Sequence, residues 1–265
     1  MVNVNIPSNP QINNHYTTPS IGGGKDFWTR GAIVYHLQGF GISSFLSGGV
    51  AYYDTVIINN YECNDFVVKN NIAYISNQNY GLYIVNIADE NNMFIVSSLN
   101  FPNKLSWHID VSINYAYIAQ GDSGIAIIDI TNPTNPVYKN QYRNINSAED
   151  ICINGNYAFV ANYKPGLKIL NISNPENPIE ISTCNTPDTS LYSTRLRTDG
   201  SFVYMISRNQ LCWNLCIVDV RNPSAPFVAG SCNMYDEVSA FCIFDKYGYI
   251  TCPLISSLKI YKIKE

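Results

Sequence analysis

Charged and imidazole side chains recur at one of two fixed distances before similar segments of the chain. Each lies seven or five residues before an aromatic or apolar triplet, which puts all of them on the innermost strand of a repeated unit. The residues are Asp65, His108, Asp110, Asp150, Arg195 and Arg197. Two Asp and one His could hold a metal or perform acid–base chemistry, whereas Arg beside Asp favours internal ion pairs. We expect ion pairs, with ligand contact as the first alternative and metal binding or catalysis as the second.

Other motifs that would indicate an enzyme or a bound cofactor are missing from the sequence. The segment 22–25 lacks the spacing of a phosphate-binding loop and follows no predicted strand. Cys212 and Cys216 have no second pair or suitable His nearby for zinc. No Gly-x-Ser-x-Gly elbow is present. The sequence therefore predicts no catalytic residue, no metal and no cofactor.

Charge and hydropathy exclude further classes of partner. The net charge is −4 and Lys and Arg do not cluster, which argues against binding to nucleic acid. No stretch approaches the ~18 apolar residues of a membrane span, so membrane insertion is not expected. The N-terminus has no basic start and no apolar run, which argues against a signal peptide and predicts synthesis in the cytoplasm.

The elements that position the charged set come from an internal repeat. Five triplets begin 43, 42, 45 and 45 residues apart. They are Ile72–Tyr74, Tyr115–Tyr117, Tyr157–Phe159, Phe202–Tyr204 and Tyr247–Tyr249. A β-branched run follows each triplet, and in three copies a turn with two prolines follows that run. Short strands with a period of about 40–45 residues are typical of β-propeller blades.

The last copy ends without a fourth strand, and a matching segment precedes the first copy. Residues 55–64 align with the fourth strand of the fourth copy. We therefore predict an all-β, five-bladed β-propeller of four-stranded blades over residues 55–265, its ring closed by an N-terminal strand at residues 55–62. Residues 1–54 are predicted to be an N-terminal arm. The alternative is a six-bladed ring with a degenerate first blade in residues 31–54.

At Gly124–Pro136, Gly166–Pro178 and Leu215–Pro226 the sequence resembles the LVIVD-repeat family of β-propellers. The repeat of that family reads roughly Gly-Leu-x-Ile-Val-Asp-Ile-Ser-Asn-Pro-x-x-Pro. The resemblance extends over about 210 residues. It implies the propeller fold, and it implies no particular activity.

Two residue types are interpreted through the repeat. Cys63, Cys184 and Cys232 stand at the same point of successive copies, too far apart for disulfides, and are predicted to be buried and reduced. Most tyrosines occupy shared strand positions and are predicted to be packing residues. Trp213 departs from the repeat and is placed in a loop between the second and third strands, as a candidate surface contact.

These observations favour a non-catalytic binding or assembly module. Residues 1–54 are predicted to bind a protein partner and so to attach the module to a larger structure. A phage or virion structural protein is one such setting, in which a propeller face would contact a host-surface protein or a glycan. The alternative is a glycan-active hydrolase or lyase that uses the axial Asp, His and Arg residues.

Overall fold

The computed structural model describes residues 2–3, 11–12, 26–46, 52–58, 62–101, 105–164, 166–186, 192–209, 212–234, 238, 240–244, 247–252 and 257–262. Within these ranges every regular element is a β-strand. None of the described residues belongs to a helix with the length and apolar character needed to span a bilayer. The all-β prediction is confirmed.

In the part of the chain that the structure describes, a short antiparallel pair of β1 (Val2–Asn3) and β2 (Gln11–Ile12) precedes six antiparallel sheets, and in each sheet the strands lie in chain order. Sheet 1 consists of β3 (Asp26–Arg30), β4 (Ile33–Gln38), β5 (Gly41–Leu46) and β6 (Tyr52–Ile57). Sheet 2 consists of β7 (Cys63–Lys69), β8 (Ile72–Asn77), β9 (Gly81–Asn86) and β10 (Phe94–Asn100). Sheet 3 consists of β11 (Ile109–Val111), β12 (Tyr115–Ala119), β13 (Ile125–Asp129) and β14 (Val137–Tyr142).

The remaining sheets repeat this plan. Sheet 4 consists of β15 (Asp150–Asn154), β16 (Tyr157–Asn162), β17 (Gly166–Asn171) and β18 (Ile179–Asn185). Sheet 5 consists of β19 (Tyr192–Thr198), β20 (Phe202–Arg208), β21 (Trp213–Asp219) and β22 (Phe227–Met234). Sheet 6 has three strands among the described residues: β23 (Ala240–Phe244), β24 (Tyr247–Cys252) and β25 (Ser257–Lys262).

The turn that leaves the third strand explains why Asn and Asp recur in the repeat. In sheets 2 to 5 the residue that ends this strand accepts a hydrogen bond on its side-chain Oδ1 from the backbone amide two residues later, at 2.8–3.0 Å. The acceptors are Asn86, Asp129, Asn171 and Asp219. Such Asx turns reverse the chain before the outer strand, so these polar side chains serve the fold.

Two compact units divide the chain, and each has its own apolar core. One comprises residues 1–116 and 128–138, the other residues 117–127 and 139–265. In the first, the buried side chains of sheets 1 and 2 form one cluster that includes Tyr35, Leu37 and Ile75. In the second, sheets 4 and 5 share a cluster that includes Phe159 and Met205.

Sheet 1 changes the interpretation of the N-terminal residues. Strand β6 pairs with β5, with Thr55 opposite Ser43, so the prediction that residues 55–62 complete the last sheet is corrected. The physical reason is local: residues 26–46 supply three strands, and β6 closes a hairpin with the nearest of them. The alternative prediction was an additional sheet in residues 31–54, and such a sheet is present, built from residues 26–46 and 52–57. Its strand β6 crosses position 54, the predicted end of the arm. Most of residues 1–25 lie outside the described ranges.

Six cysteines whose side chains the structure describes are free thiols: Cys63, Cys152, Cys184, Cys212, Cys216 and Cys232. Cys63 and Cys184 are buried as predicted, and Cys152 and Cys216 are buried as well. Cys232 is exposed on the outer strand β22, where the prediction of burial was wrong. Its neighbours Ser231 and Asn233 are exposed too, so this part of the outer strand is uncovered.

Candidate functional site

Asp65 and His108 form a buried pair in the first unit. His108 Nδ1 lies 3.1 Å from Asp65 Oδ2, and less than a tenth of either residue is exposed. The backbone amide of Ile109 donates to the same carboxylate oxygen at 3.1 Å. The carboxylate thus connects β7, the innermost strand of sheet 2, to the start of β11 in sheet 3.

Asp150 repeats this arrangement in the second unit. Its Oδ2 accepts a hydrogen bond from the backbone amide of Leu196 at 2.8 Å, and its Oδ1 accepts one from the amide of Ile151 at 2.7 Å. Arg197 Nη1 lies 3.6 Å from Asp150 Oδ2 and also donates to Leu196 O at 2.7 Å. The predicted ion pairing of Asp150 is therefore present, and the carboxylate connects β15 to β19 as Asp65 connects β7 to β11.

Asp110 and Arg195 complete the predicted set. Asp110 Oδ1 accepts a hydrogen bond from the amide of Val111 at 2.7 Å, and its side chain is partly exposed. Arg195 lies on β19 opposite Ile206, beside a bulge that follows Ser193, and is also partly exposed. Contact of any of these residues with a ligand stays a prediction.

Trp213 lies in a different place from the one predicted. It begins strand β21, where it pairs with Arg208 on one side and Met234 on the other. Its ring packs against the buried cluster of Tyr204, Ile206 and Met234, and the Arg208 guanidinium carbon lies 5.1 Å from the ring centroid. Trp213 therefore packs within sheet 5 but stays partly exposed, and its contact with a partner remains a prediction.

Sequence reasoning missed a row of buried polar residues across sheet 5. Ser193, Ser207 and Asn214 are cross-strand neighbours on β19, β20 and β21. The two serines have no exposed surface and Asn214 retains 7%. Among the residues that the structure describes, Ser193 Oγ, Ser207 Oγ and Asn214 Oδ1 have no hydrogen-bond partner, although Asn214 Nδ2 donates to Asn233 Oδ1 at 3.1 Å. Buried polar atoms without a partner are rare and costly, which makes this row unusual.

The repeat shows how sheet 5 acquired this row. At the repeat position where sheets 2 to 4 have glycine, at or just before the start of the third strand, sheet 5 has Asn214. The glycines are Gly81, Gly124 and Gly166. At or just after the end of the second strand, sheets 2 to 4 have a side-chain amide, and sheet 5 has Ser207. The amides are Asn77, Gln120 and Asn162. Asn162 illustrates what the amide does, since its Oδ1 accepts a hydrogen bond from the amide of Asn146 at 2.8 Å. The shorter Ser207 makes no such bond. The signal is visible in the aligned repeats, where a glycine and an amide give way to Asn214 and Ser207.

Tyr163 lies beside this row and has an unusual backbone. Its φ is +37°, and it occupies the position that glycine holds in sheet 3 as Gly121, with φ +54°. Both residues form the same isolated bridge, Gly121 with Ala148 and Tyr163 with Ser193. The Ser193 amide donates to Tyr163 O at 3.0 Å. A non-glycine residue pays about 1–2 kcal/mol for this conformation, and such strain concentrates at functional sites.

Glu149 supplies a carboxylate near the same ends of the strands. Burial raises the pKa of Glu149, and the negative charges of Asp122 and Asp150 act in the same direction. The hydrogen bond from Ser147 Oγ to Glu149 Oε1, at 2.7 Å, and the charge of Arg208 act against this rise. The net effect is a partly buried carboxyl group that holds its proton more strongly than an exposed glutamate.

Comparison with solved structures gives the fold. The chain is similar to the β-propeller domain of Cps50 (Swd1) from Myceliophteria thermophila, with a TM-score of 0.72 and 11% identity over 95% of this chain and 86% of that one. It is also similar to the computationally designed Ika8 protein, with a TM-score of 0.64 and 13% identity over 91% of this chain and 71% of that one. At these identities the likeness concerns the fold alone.

Sequence comparison gives the family. No curated protein matches the chain significantly. The model of the LVIVD repeat matches it in four places, residues 62–100, 105–144, 146–186 and 197–234, which begin with sheet 2 and end with sheet 5. These matches cover more than half of the chain and follow the repeat predicted from the sequence. The protein is a β-propeller of the LVIVD-repeat family.

Proposed function

We propose that this protein is a non-catalytic binding or assembly module that contacts other proteins through the outer strands of its sheets. The observation that carries the proposal is a repeated exposed apolar residue. The first residue of the outer strand is apolar and 44–66% exposed in each of sheets 2 to 5. These residues are Phe94, Val137, Ile179 and Phe227. Exposed apolar side chains that recur at one structural position favour a contact surface.

The internal bonding of the axial carboxylates supports a binding role over a catalytic one. Asp65 accepts a backbone amide and pairs with His108, and Asp150 accepts two backbone amides. A carboxylate that stabilises two strands through these bonds is a poor general base, because proton transfer would disrupt the bonds.

We assign attachment to a larger structure to residues 1–25. Residues 26–46 and 52–57 contribute the strands of sheet 1, where Arg30 binds Asn71 and Glu90 of sheet 2. A phage or virion particle is the setting that we propose for this attachment, with a host-surface protein or glycan as the external partner.

The test measures how much partner protein is captured by the full-length protein and by its surface variants. The partner is captured from the particles or cells that contain this protein. A Phe94→Ser, Ile179→Ser, Phe227→Ser triple variant should lose the captured protein while its unfolding midpoint changes little. Ile113→Ser is the matched control, because Ile113 is 83% exposed but lies outside the repeated set. Equal capture by the triple variant and the wild type would overturn the proposal. Deletion of residues 1–25 should abolish incorporation into the particle, and normal incorporation would contradict the attachment.

The Asp65–His108 pair favours one second candidate, a glycan-active enzyme. A buried carboxylate 3.1 Å from an imidazole nitrogen is an arrangement that can orient a general acid or base. This candidate predicts hydrolysis or elimination on a panel of polysaccharides by the wild type, lost in His108→Ala. Lack of turnover of the whole panel would leave the binding module as the better account.

A further inference from the structure

The strongest unexplained feature of the molecule is the row of Ser193, Ser207 and Asn214 in sheet 5 with Tyr163 of sheet 4 next to it. Leu196, Met205 and Cys216 belong to the apolar cluster shared by sheets 4 and 5, and they lie further along the same strands. Ser207 alternates with Met205 along β20, so both point to the sheet 4 side. The polar row therefore lies between sheets 4 and 5, beyond their shared apolar cluster and closer to the strand ends.

The unpartnered atoms define what this position can bind. Two hydroxyl groups can each donate and accept a hydrogen bond, and the Asn214 carbonyl oxygen accepts one. The three side chains carry no charge, so they provide no preference for an ion. They suit a neutral molecule that offers several hydroxyl groups at close spacing.

Tyr163 supplies an aromatic surface beside these groups. Its side chain is 41% exposed, whereas Tyr35, Tyr117 and Tyr204 of the same chain are at most 2% exposed. Its backbone bridge to Ser193 fixes it next to the polar row. A sugar ring combines hydroxyl groups at its edge with an apolar face that packs on an aromatic ring.

We propose that Tyr163, Ser193, Ser207 and Asn214 form a binding site for a neutral saccharide. This inference rests on the proposed binding function and names one ligand class for it. The serines are covered in this structure, so the site opens when the sugar binds. Opening moves Tyr163, because leaving the left-handed region relieves its backbone strain.

The departures from the repeat all point to the same site. Asn214 replaces the glycine of sheets 2 to 4, Ser207 replaces their side-chain amide, and Tyr163 adopts a left-handed backbone conformation. Each of these features lowers stability, through backbone strain or through a buried polar atom without a partner. A sugar hydroxyl that satisfies these atoms would recover that free energy on binding.

The test is saturation-transfer NMR of the full chain with glucose, galactose, mannose, N-acetylglucosamine and their β-linked disaccharides. We expect at least one to bind saturably. Ser207→Ala should weaken binding about tenfold, since each lost hydrogen bond costs about 1.4 kcal/mol. Tyr163→Gly should abolish binding while its unfolding midpoint stays equal or rises, because glycine is the residue that sheet 3 uses at this position. Tyr138→Ala is the matched control, since Tyr138 is 38% exposed on the outer strand β14 of sheet 3.

Two results would overturn the saccharide site. One is the absence of saturable binding by the whole panel, with a crystal structure in which only ordered waters bond the three atoms. The other is equal binding by the wild type and by Tyr163→Gly and Ser207→Ala. If sugar binding fails while the Phe94, Ile179 and Phe227 variant still loses its captured protein, the saccharide site is wrong and the proposed module function stands.

Discussion

Asp150 Oδ2 accepts a hydrogen bond from the backbone amide of Leu196 at 2.8 Å, which joins the innermost strands of sheets 4 and 5. Asp65 makes the equivalent bond to Ile109 at 3.1 Å in the other unit. A carboxylate at this point of the repeat therefore acts as a connector between successive sheets. The charged positions that the sequence singled out have a structural task, whatever ligand they contact.

Removal of the Asp150 carboxylate should destabilise the second unit strongly. Asp150→Ala leaves the buried amides of Ile151 and Leu196 without an acceptor, and we expect a loss of about 3 kcal/mol in the free energy of unfolding. Asp150→Asn retains one acceptor oxygen and should lose less. Urea unfolding measures both. Asp122→Asn, at an exposed turn residue, is the control and should change stability by less than about 0.5 kcal/mol. Equal stability of Asp150→Ala and the control would contradict the connector role.

The repeat of sheets 2 to 5 was predictable because its strands and turns recur with the same spacing, but sheet 1 was not recognised. Ile33 begins its second strand as Ile72 does in sheet 2, and Gly41 begins its third strand as Gly81 does. The interval is one residue shorter in sheet 1, and no Asn or Asp ends strand β5. Because the hairpin is shorter and the Asx turn is missing, sheet 1 does not match the sequence repeat, although its buried side chains occupy the same positions as in the other sheets.

Arg30 should stabilise the packing of sheet 1 on sheet 2. Its guanidinium donates to Asn71 Oδ1 and Glu90 Oε2, both at 3.0 Å, and lies 5.5 Å from the ring centroid of Tyr35. Arg30→Ala should lower the free energy of unfolding by about 2 kcal/mol, and Arg30→Lys by more than half of that, because one ammonium cannot reproduce the planar fork. Arg143→Ala, at an exposed residue, is the control. Thermal unfolding with equal midpoints for all three variants would show that the contacts contribute nothing.

The proposed saccharide site was harder to predict than the fold for a physical reason. Charged residues attract attention in a sequence, yet Asp65 and Asp150 are bonded to backbone amides. Ser207 and Asn214 are neutral and ordinary in composition, and only their place in the repeat makes them unusual. Their lack of partners depends on side-chain length and on the opposite strand, which a sequence does not display.

Glycine at the start of the third strand should be far less replaceable than glycine in a hairpin turn. A Cβ at Gly124, with φ +91°, would meet the backbone carbonyl of Tyr142 on the outer strand, whereas a Cβ at Gly155, with φ +57°, would meet nothing within 4 Å. Gly155→Ala should cost about 1 kcal/mol, from backbone strain alone. Gly124→Ala adds a clash with backbone that cannot move aside, and should cost about 3 kcal/mol or more. Chemical unfolding of both variants measures the difference, and equal losses would show that β14 gives way.

The buried thiols should make stability fall with rising pH above the ordinary thiol range. Burial raises the pKa of Cys63 to about 11 and that of Cys216 to about 12. In the unfolded chain both titrate near ~8.5, so below that pH both states keep the proton and stability does not change. As pH rises from about 9 toward the folded pKa values, only the unfolded thiols ionise, which favours unfolding by up to about 1.4 kcal/mol per pH unit for each thiol.

The measurement is urea unfolding of the wild type and of Cys216→Ala between about pH 8 and pH 10. The variant is less stable at pH 8 because it loses packing, but its stability should fall less steeply as pH rises. Cys212→Ala provides the control, because Cys212 is partly exposed and lies just before strand β21. Parallel pH profiles for the wild type and Cys216→Ala would mean that the Cys216 thiol ionises as easily in the folded protein as in the unfolded chain.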